Sequence, residues 1–415
     1  MKESLAELTL MPLTGAEAID AGAEEELFRR LGQAAASEHL RQRWEAADGP
    51  AILQCEHCQQ SLKPMGRRPK QLQTVCGSLQ LERRVYYCQQ CGEMQAPLDQ
   101  RLGVAQGGIT PGLMRLICRT ALELPFQQSQ QLLSDTLGFA PCSAREMERI
   151  AGRHGELLEQ SQPRQAAPIS PHKVGKYCLA IDGSMIPGLP DPLVHRLCWH
   201  EVKLAVGFDP QEVRLPFYIA GREDAESFGQ RLWQQLQHRG LDHNSFQLIL
   251  GDGAPWIWNL AALHLPGVPQ LLDFYHAAEH LFATAQLLWS AAKARSWWQR
   301  RLAQLKQGEL SNFFDALQRL VRSHPNIDSD SSPERLLKYF RDNQQRLRYE
   351  WASRQHLPIG SGAVESGAGH IVQQRLKQAG MRWSDPGAQA ILNLRTLHRS
   401  GEFEQYWENF AAAGF

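Results

Sequence analysis

A multidomain α/β fold is predicted by three features of the chain. Two Cys-x-x-Cys pairs, Cys55/Cys58 and Cys88/Cys91, flank alternating, strand-like segments. From residue 177 onward, apolar strand-like runs alternate with helical patterns. Two of those runs deliver an Asp-Gly, at Asp182 and Asp252, and a third acid, Glu365, stands among glycines and small residues ahead of a helix.

The bulk numbers set the frame. At 415 residues a chain holds two to three domains, and 43% hydrophobic with 21% charged residues is a globular composition with a real core. A formal net charge of +0 excludes a uniformly basic coat, yet charge is uneven. Residues 1–50 hold five Lys/Arg against ten Asp/Glu, and residues 351–400 hold six against two. A local basic face is what phosphate contact needs. No run of about 18 apolar residues suggests a membrane span. The mixed, acidic start is unlike a signal peptide, so a cytoplasmic location is expected. The nine cysteines then read as thiols or metal ligands and not as a disulfide framework.

In order, residues 16–47 are rich in Ala, Glu, Leu and Arg and predict a solvated helix or helix pair. The cysteine pairs follow. A two-residue gap lets one tight turn supply two thiolates, and tetrahedral zinc wants four, so Cys55, Cys58, Cys88 and Cys91 predict a zinc ribbon with structural Zn²⁺. His57 and Cys76 are the lesser candidates. Between the pairs, Leu72–Gly77 and Leu79–Tyr87 predict a hairpin, and the basic, Pro-rich Lys63–Lys70 a loop. Residues 110–160 are helical: one helix ends at Gly138, and Ser143 begins the next with Glu146 three residues on, a capping-box spacing. That outlines a helix-turn-helix (HTH) whose Arg145 and Arg149, four apart, share a face that can meet DNA. Residues 161–176, with three prolines, predict a linker.

Beyond the linker, strands are predicted at Tyr177–Ile181, Leu197–Phe208, Val213–Ala220, Phe246–Leu250 and Val268–Phe274. Helices are predicted at Arg222–Gln237 and Pro255–His264. Three strands, helix, strand, helix, strand is the order of an RNase H-like sheet. Residues 277–350 read as an all-helical insertion, and Ala388–Phe410 as a closing amphipathic helix.

Three carboxylates without a nucleophilic Ser or Cys beside a base point to hard divalent cations. Mg²⁺ takes few carboxylates and leaves room for phosphate oxygens. Mn²⁺ is the alternative ion. In this reading Asp182 bridges, Asp252 binds one ion from its strand end, and Glu365 binds the other from its helix. Arg375, Lys377 and Arg382, just past Glu365, are candidate DNA contacts.

Several long stretches resemble one family together: Asp182-Gly-Ser, Gly251-Asp-Gly-Ala-Pro-Trp-Ile-Trp, Leu272-Asp-Phe-Tyr-His-Ala-Ala-Glu-His-Leu, Leu357-Pro-Ile-Gly-Ser-Gly-Ala-Val-Glu-Ser and Gln374-Arg-Leu-Lys-Gln-Ala-Gly-Met-Arg-Trp-Ser. They look like bacterial insertion-sequence transposases of the ISKra group, DDE-type enzymes related to the Mutator-like class, over about 55–410. The resemblance implies an RNase H-like catalytic domain (166–276 and 352–410) with a helical insertion (277–351). Ahead of it would lie a helical segment (1–50), a zinc ribbon (51–105) and an HTH-like region (106–165). It implies strand cleavage and strand transfer on double-stranded DNA, at terminal inverted repeats and target, by a homodimer or higher oligomer. Asp182, Asp252 and Glu365 would be the metal acids, and Asp273 and His276 match the family's Asp-x-x-His element, with His276 a catalytic candidate. A DNA-binding relative that no longer cuts, and a nuclease of the same fold that does not join ends, are the competing readings.

Overall fold

The computed structural model describes residues 20–49, 54–55, 57–105, 107–160, 176–190, 197–211, 216–327 and 329–413. Residues 161–175 of the linker predicted at 161–176, residues 16–19 and the start of the strand predicted from Val213 lie outside them. No helix among the described residues is long and apolar enough to cross a membrane. The fold is mixed α/β, in two compact units: residues 1–151 with 403–415, and residues 152–402.

In the first unit, α1 (Ala21–Ala47) is one continuous helix capped by Asp20, whose carboxylate accepts the Ala23 N–H. It is not a free lead-in. Glu45 and Asp48 accept the N–H groups of Glu82 and Arg84, and Leu40 and Trp44 pack on Leu72, Leu79, Leu81 and Leu98. The helix thus blunts an otherwise open strand edge. That edge belongs to an antiparallel sheet of β1 (Lys63–Thr74), β2 (Gly77–Tyr87) and β3 (Met94–Gln95). The hairpin is longer than expected, because Lys63–Lys70 is strand and not loop. Its prolines are tolerated on an exposed edge, and an irregularity between Pro64 and Arg67 absorbs the misfit. A short helix, α2 (Pro97–Arg101), carries Asp99, which pairs with Lys70 and Arg83 at 2.9 Å each.

Then come α3 (Pro111–Ala121), α4 (Phe126–Leu137) and α5 (Ala144–Gln160). α4 stops at Gly138, as expected, and the Gln33 side chain of α1 donates to the last α4 carbonyl, on Leu137, at 2.7 Å. Ser143 Oγ accepts the Glu146 N–H, which is half of the capping box. The other half is not made: the Glu146 carboxylate turns to Arg149 at 2.6 Å.

In the second unit a five-stranded sheet has the order β6-β5-β4-β7-β8. β4 (Tyr177–Pro190), β5 (Leu197–Phe208) and β6 (Phe217–Gly221) are antiparallel neighbours. β7 (Phe246–Gly251) and β8 (Gln270–Leu272) add on the other side in parallel. The central run Cys178–Ile181 is fully buried, which is why it is continuously apolar. α6 (Ala225–His238) and α7 (Pro255–His264) pack together between the later strands.

The helical stretch predicted after β8 comprises α8 (Phe274–Leu288), α9 (Ala291–Lys306), α10 (Leu310–Ser323), α11 (Pro333–Asp342) and α12 (Tyr349–Arg354). After it, α13 (Gly362–Gly367) passes into a π-helical segment, Ala368–Gln373, and α14 (Gln374–Leu376). The single closing helix expected from Ala388 is two, α15 (Asp385–Arg399) and α16 (Phe403–Ala413), and α16 groups with the first unit. α15 covers the outer edge of β6: Ser400 Oγ accepts the Tyr218 N–H at 3.0 Å and Gln389 accepts that of Arg222 at 3.0 Å.

Candidate metal centres and the acid row

The first site is built by two matching turns. In Cys55–Gln60 the Gln59 N–H returns to the Cys55 carbonyl and the Cys55 N–H to the Gln60 carbonyl, each at 2.8 Å. In Cys88–Glu93 the same pair of bonds recurs at 2.9 Å each. In both, the residue after the second cysteine has positive φ, Gln59 at 61° and Gly92 at 72°. The turns face one another, with Cys55 Sγ 3.8 Å from Cys91 and Cys58 Sγ 3.5 Å from Cys88. All four sulfurs lie within 4.8 Å of one another, a set that can hold a metal ion. The Cys58 backbone N–H, ahead of other hydrogen bonds, holds the Cys55 thiol down to about 6, whereas neighbouring thiols, Cys58 first, push Cys91 up. Four sulfurs this close cannot all ionise without a cation among them. His57 and Cys76 stand outside the set. His57 pairs with Glu93 of the opposite turn at 3.0 Å, and the Cys76 carbonyl accepts from Ser37.

The second site is a row across the sheet. Ile181 is in register with Gly251, and Gly251 with Leu272. The next residues are Asp182, Asp252 and Asp273, so three acids lie side by side where three parallel strands cease to pair. Asp182 does not end its strand; β4 runs on beside β5 past the point where β7 stops pairing with it, and farther along Trp383 bridges Gly188. The Asp182 carboxyl, half-buried, is pushed up to about 6, first by burial and then by Asp252 and Asp273, with the Gly183 N–H and His276 pulling the other way. Asp252 accepts the Ala254 N–H at 2.8 Å and so fixes the turn after β7. That turn needs Gly253: its φ is +106°, and a Cβ there would stand 2.8 Å from the Tyr339 ring. Tyr339, on α11, donates its hydroxyl to the Asp252 carbonyl at 2.7 Å.

Asp273, which the sequence matches to the family's Asp-x-x-His element but not to the metal acids, is the third member of the row. Only 1% exposed, it accepts the N–H groups of Tyr275 and His276 at 2.6 and 2.9 Å on one oxygen, capping α8. Its other oxygen takes the Ser361 N–H at 2.7 Å and the Ser361 hydroxyl. The same hydroxyl lies 3.4 Å from Glu365 Oε1. Asp273 therefore ties the end of β8 to the segment that presents Glu365. Like the other two acids it follows an apolar run, but the strand predicted to Phe274 places it inside the strand, whereas β8 ends at Leu272.

Glu365 does not close on the row. Its side chain is exposed on α13, and among the described residues only the cysteines form a metal-binding group of three or more. α13 packs on β4 and β5, and a Cβ on Gly367 would meet Val206 at 2.8 Å, so the helix comes this near only because residue 367 is glycine. His276 sits at the start of α8, its Nε2 3.2 Å from that of His280.

Of the DNA-contact candidates, Arg145, Arg149, Lys377 and Arg382 are exposed. Arg149 is held by Glu146. Arg375 is a correction: it is 0% exposed, with its guanidinium 4.9 Å from the Trp383 ring centre and hydrogen-bonded to the Met381 sulfur. It is a core group and cannot meet phosphate in this conformation.

The profile of a family described as "Uncharacterised protein family (UPF0236)" matches residues 56–408, and the chain belongs to that family. No curated protein matches it.

Proposed function

We propose that this UPF0236 member is a DDE-type transposase of the kind the ISKra resemblance suggests, with an RNase H-like catalytic domain acting on double-stranded DNA. The observation that carries the reading is the register row of Asp182, Asp252 and Asp273 on a sheet whose order starts with three antiparallel strands and continues with two parallel ones. A fold of this kind hosts many functions, so the site has to carry the argument.

The donor set fits a hard divalent cation. All the donors are carboxylate oxygens, and Asp182 is pushed towards neutrality by burial beside a second acid, an excess of negative charge that a cation relieves. Asp182 and Asp252 would hold Mg²⁺ or Mn²⁺, with Glu365 brought in from α13. Such an ion, when bound, supplies charge stabilisation at a phosphate oxygen and a more acidic water or 3′-hydroxyl. The chain's own part is positional: β4 fixes Asp182, the Gly253 turn fixes Asp252, and the Asp273–Ser361 clamp fixes the approach to Glu365. The exposed Lys377 and Arg382 provide positive charge for the DNA backbone. Zn²⁺ in the four-cysteine site would be structural, since all four positions are taken by sulfur.

A DNA-binding protein that does not cut is the second reading, favoured by one observation: the Glu365 carboxylate stands exposed, with Ser361 as its hydrogen-bond partner. Glu365→Gln decides between them. A transposase loses Mg²⁺- or Mn²⁺-dependent cleavage of an end duplex and keeps DNA binding. Cleavage at a near wild-type rate in that variant would refute the catalytic assignment.

A further inference from the structure

We infer that His276 and His280 form a two-nitrogen site for a borderline divalent cation of the zinc class, separate from the four-cysteine site and from the carboxylate pair. The two residues are one helical turn apart on α8, and their Nε2 atoms are 3.2 Å apart. Two imidazole nitrogens bound to one tetrahedral zinc at about 2.0–2.1 Å stand roughly 3.3 Å from each other. The pair therefore already has the bite that a chelated ion requires. The spacing His-x-x-Glu-His is one that helices use to present two zinc ligands on one face.

The surroundings support ligation. Glu279 places Oε2 3.8 Å from His276 Nδ1, the far side of the ring. That distance is longer than a hydrogen bond, but a small movement of the exposed Glu279 side chain would let it accept from Nδ1–H and leave the Nε2 lone pair for a metal. The His280 ring lies against Tyr339, with centroids 4.4 Å apart, and the Tyr339 hydroxyl is bonded to the Asp252 backbone. The pair thus sits beside the acid row but is distinct from it: among the described residues no carboxylate joins the two imidazoles in a group of three, so the ion's remaining positions would be filled by water or a bound group. Two imidazole nitrogens suit zinc better than magnesium, which prefers oxygen alone. His280 is exposed and His276 partly so, leaving the nitrogens reachable from solvent. This site stands whether or not the acids cleave DNA.

The competing account is that one imidazole simply donates a hydrogen bond to the other, which the same distance also permits. Zinc titration separates the two. Full-length protein already holding one zinc per chain is titrated calorimetrically with ZnCl₂, beside His280→Ala and the more conservative His280→Gln. The wild-type chain should take up one further equivalent. Both variants should lose it or bind at least tenfold more weakly, while their thermal melts stay near that of wild type. Equal uptake by wild type and a folded His280→Gln, or no second uptake by wild type, would overturn the site. If His280→Ala unfolds, His280→Gln alone carries the comparison.

Discussion

Cys55, Cys58, Cys88 and Cys91 are gathered by two short turns, each closed by its own backbone hydrogen bonds. Asp182, Asp252 and Asp273 are gathered only when three strands from distant parts of the chain pair in register. The cysteine site supplies four ligands and has no room for a substrate. The acid row supplies oxygens on an open edge and leaves Glu365 apart from them. A closed site serves stability, and an open one leaves coordination positions for chemistry. The two should therefore respond in opposite ways to losing a ligand.

The largest effect is expected at the closed site. Cys88→Ser should lose its zinc, with a loss on the order of 10 kcal/mol in ion binding coupled to folding. Metal analysis and hydrogen exchange across β1 and β2 check this; full zinc retention would break the comparison at its firmer end.

At the open site a lost ligand should instead stabilise the metal-free protein. The Asp182 pKa is raised to about 6 in the fold from an ordinary 3.8, so the folded state binds more protons between those values. Stability is then lost as pH rises from about 4 through 6, by roughly 1–3 kcal/mol. Asp182→Asn should melt higher than wild type at pH 8 and the same at pH 3.5, without added metal. A variant less stable than wild type at pH 8 would show that Asp182 is a structural acid.

The Asp273 clamp lies between these extremes. Asp273→Asn replaces a carboxylate that accepts four hydrogen bonds, so one amide hydrogen must face a donor. A cost of about 1–3 kcal/mol follows. Chemical denaturation measures it, and Ser361→Ala should cost less because the Ser361 N–H bond to Asp273 survives. The smallest effect belongs to the exposed cations. Lys377→Ala and Arg382→Ala should each lower the salt slope of DNA binding by about 1 and leave stability within about 0.5 kcal/mol.

How much of each region could be read beforehand follows from the same contrast. The cysteine ligands are two residues apart in each pair, so local spacing exposes them. Asp182 and Asp252 were visible because each follows an apolar run and precedes glycine. Asp273 has no glycine after it, and nothing local says that β8 stops at Leu272. Its partner Ser361 lies far along the chain, and Tyr339, which borders Asp252, comes from the helical stretch between. Arg375 misled through its charge. It falls four residues after Ile371 and three after Val372, both buried, so helical periodicity already placed it inward. The Trp383 ring that receives its guanidinium could not be paired with it from sequence.

The central claim is that the acid row is a metal site that works on DNA. The most direct test is Mn²⁺-dependent nicking of a duplex taken from the DNA flanking the gene, by wild type and by Asp182→Asn at equal occupancy of DNA. The account predicts nicking by wild type that disappears with chelator, and a fall of about 10³-fold or more in the variant, the rate equivalent of several kcal/mol of lost charge stabilisation. Nicking by Asp182→Asn at the wild-type rate would contradict it.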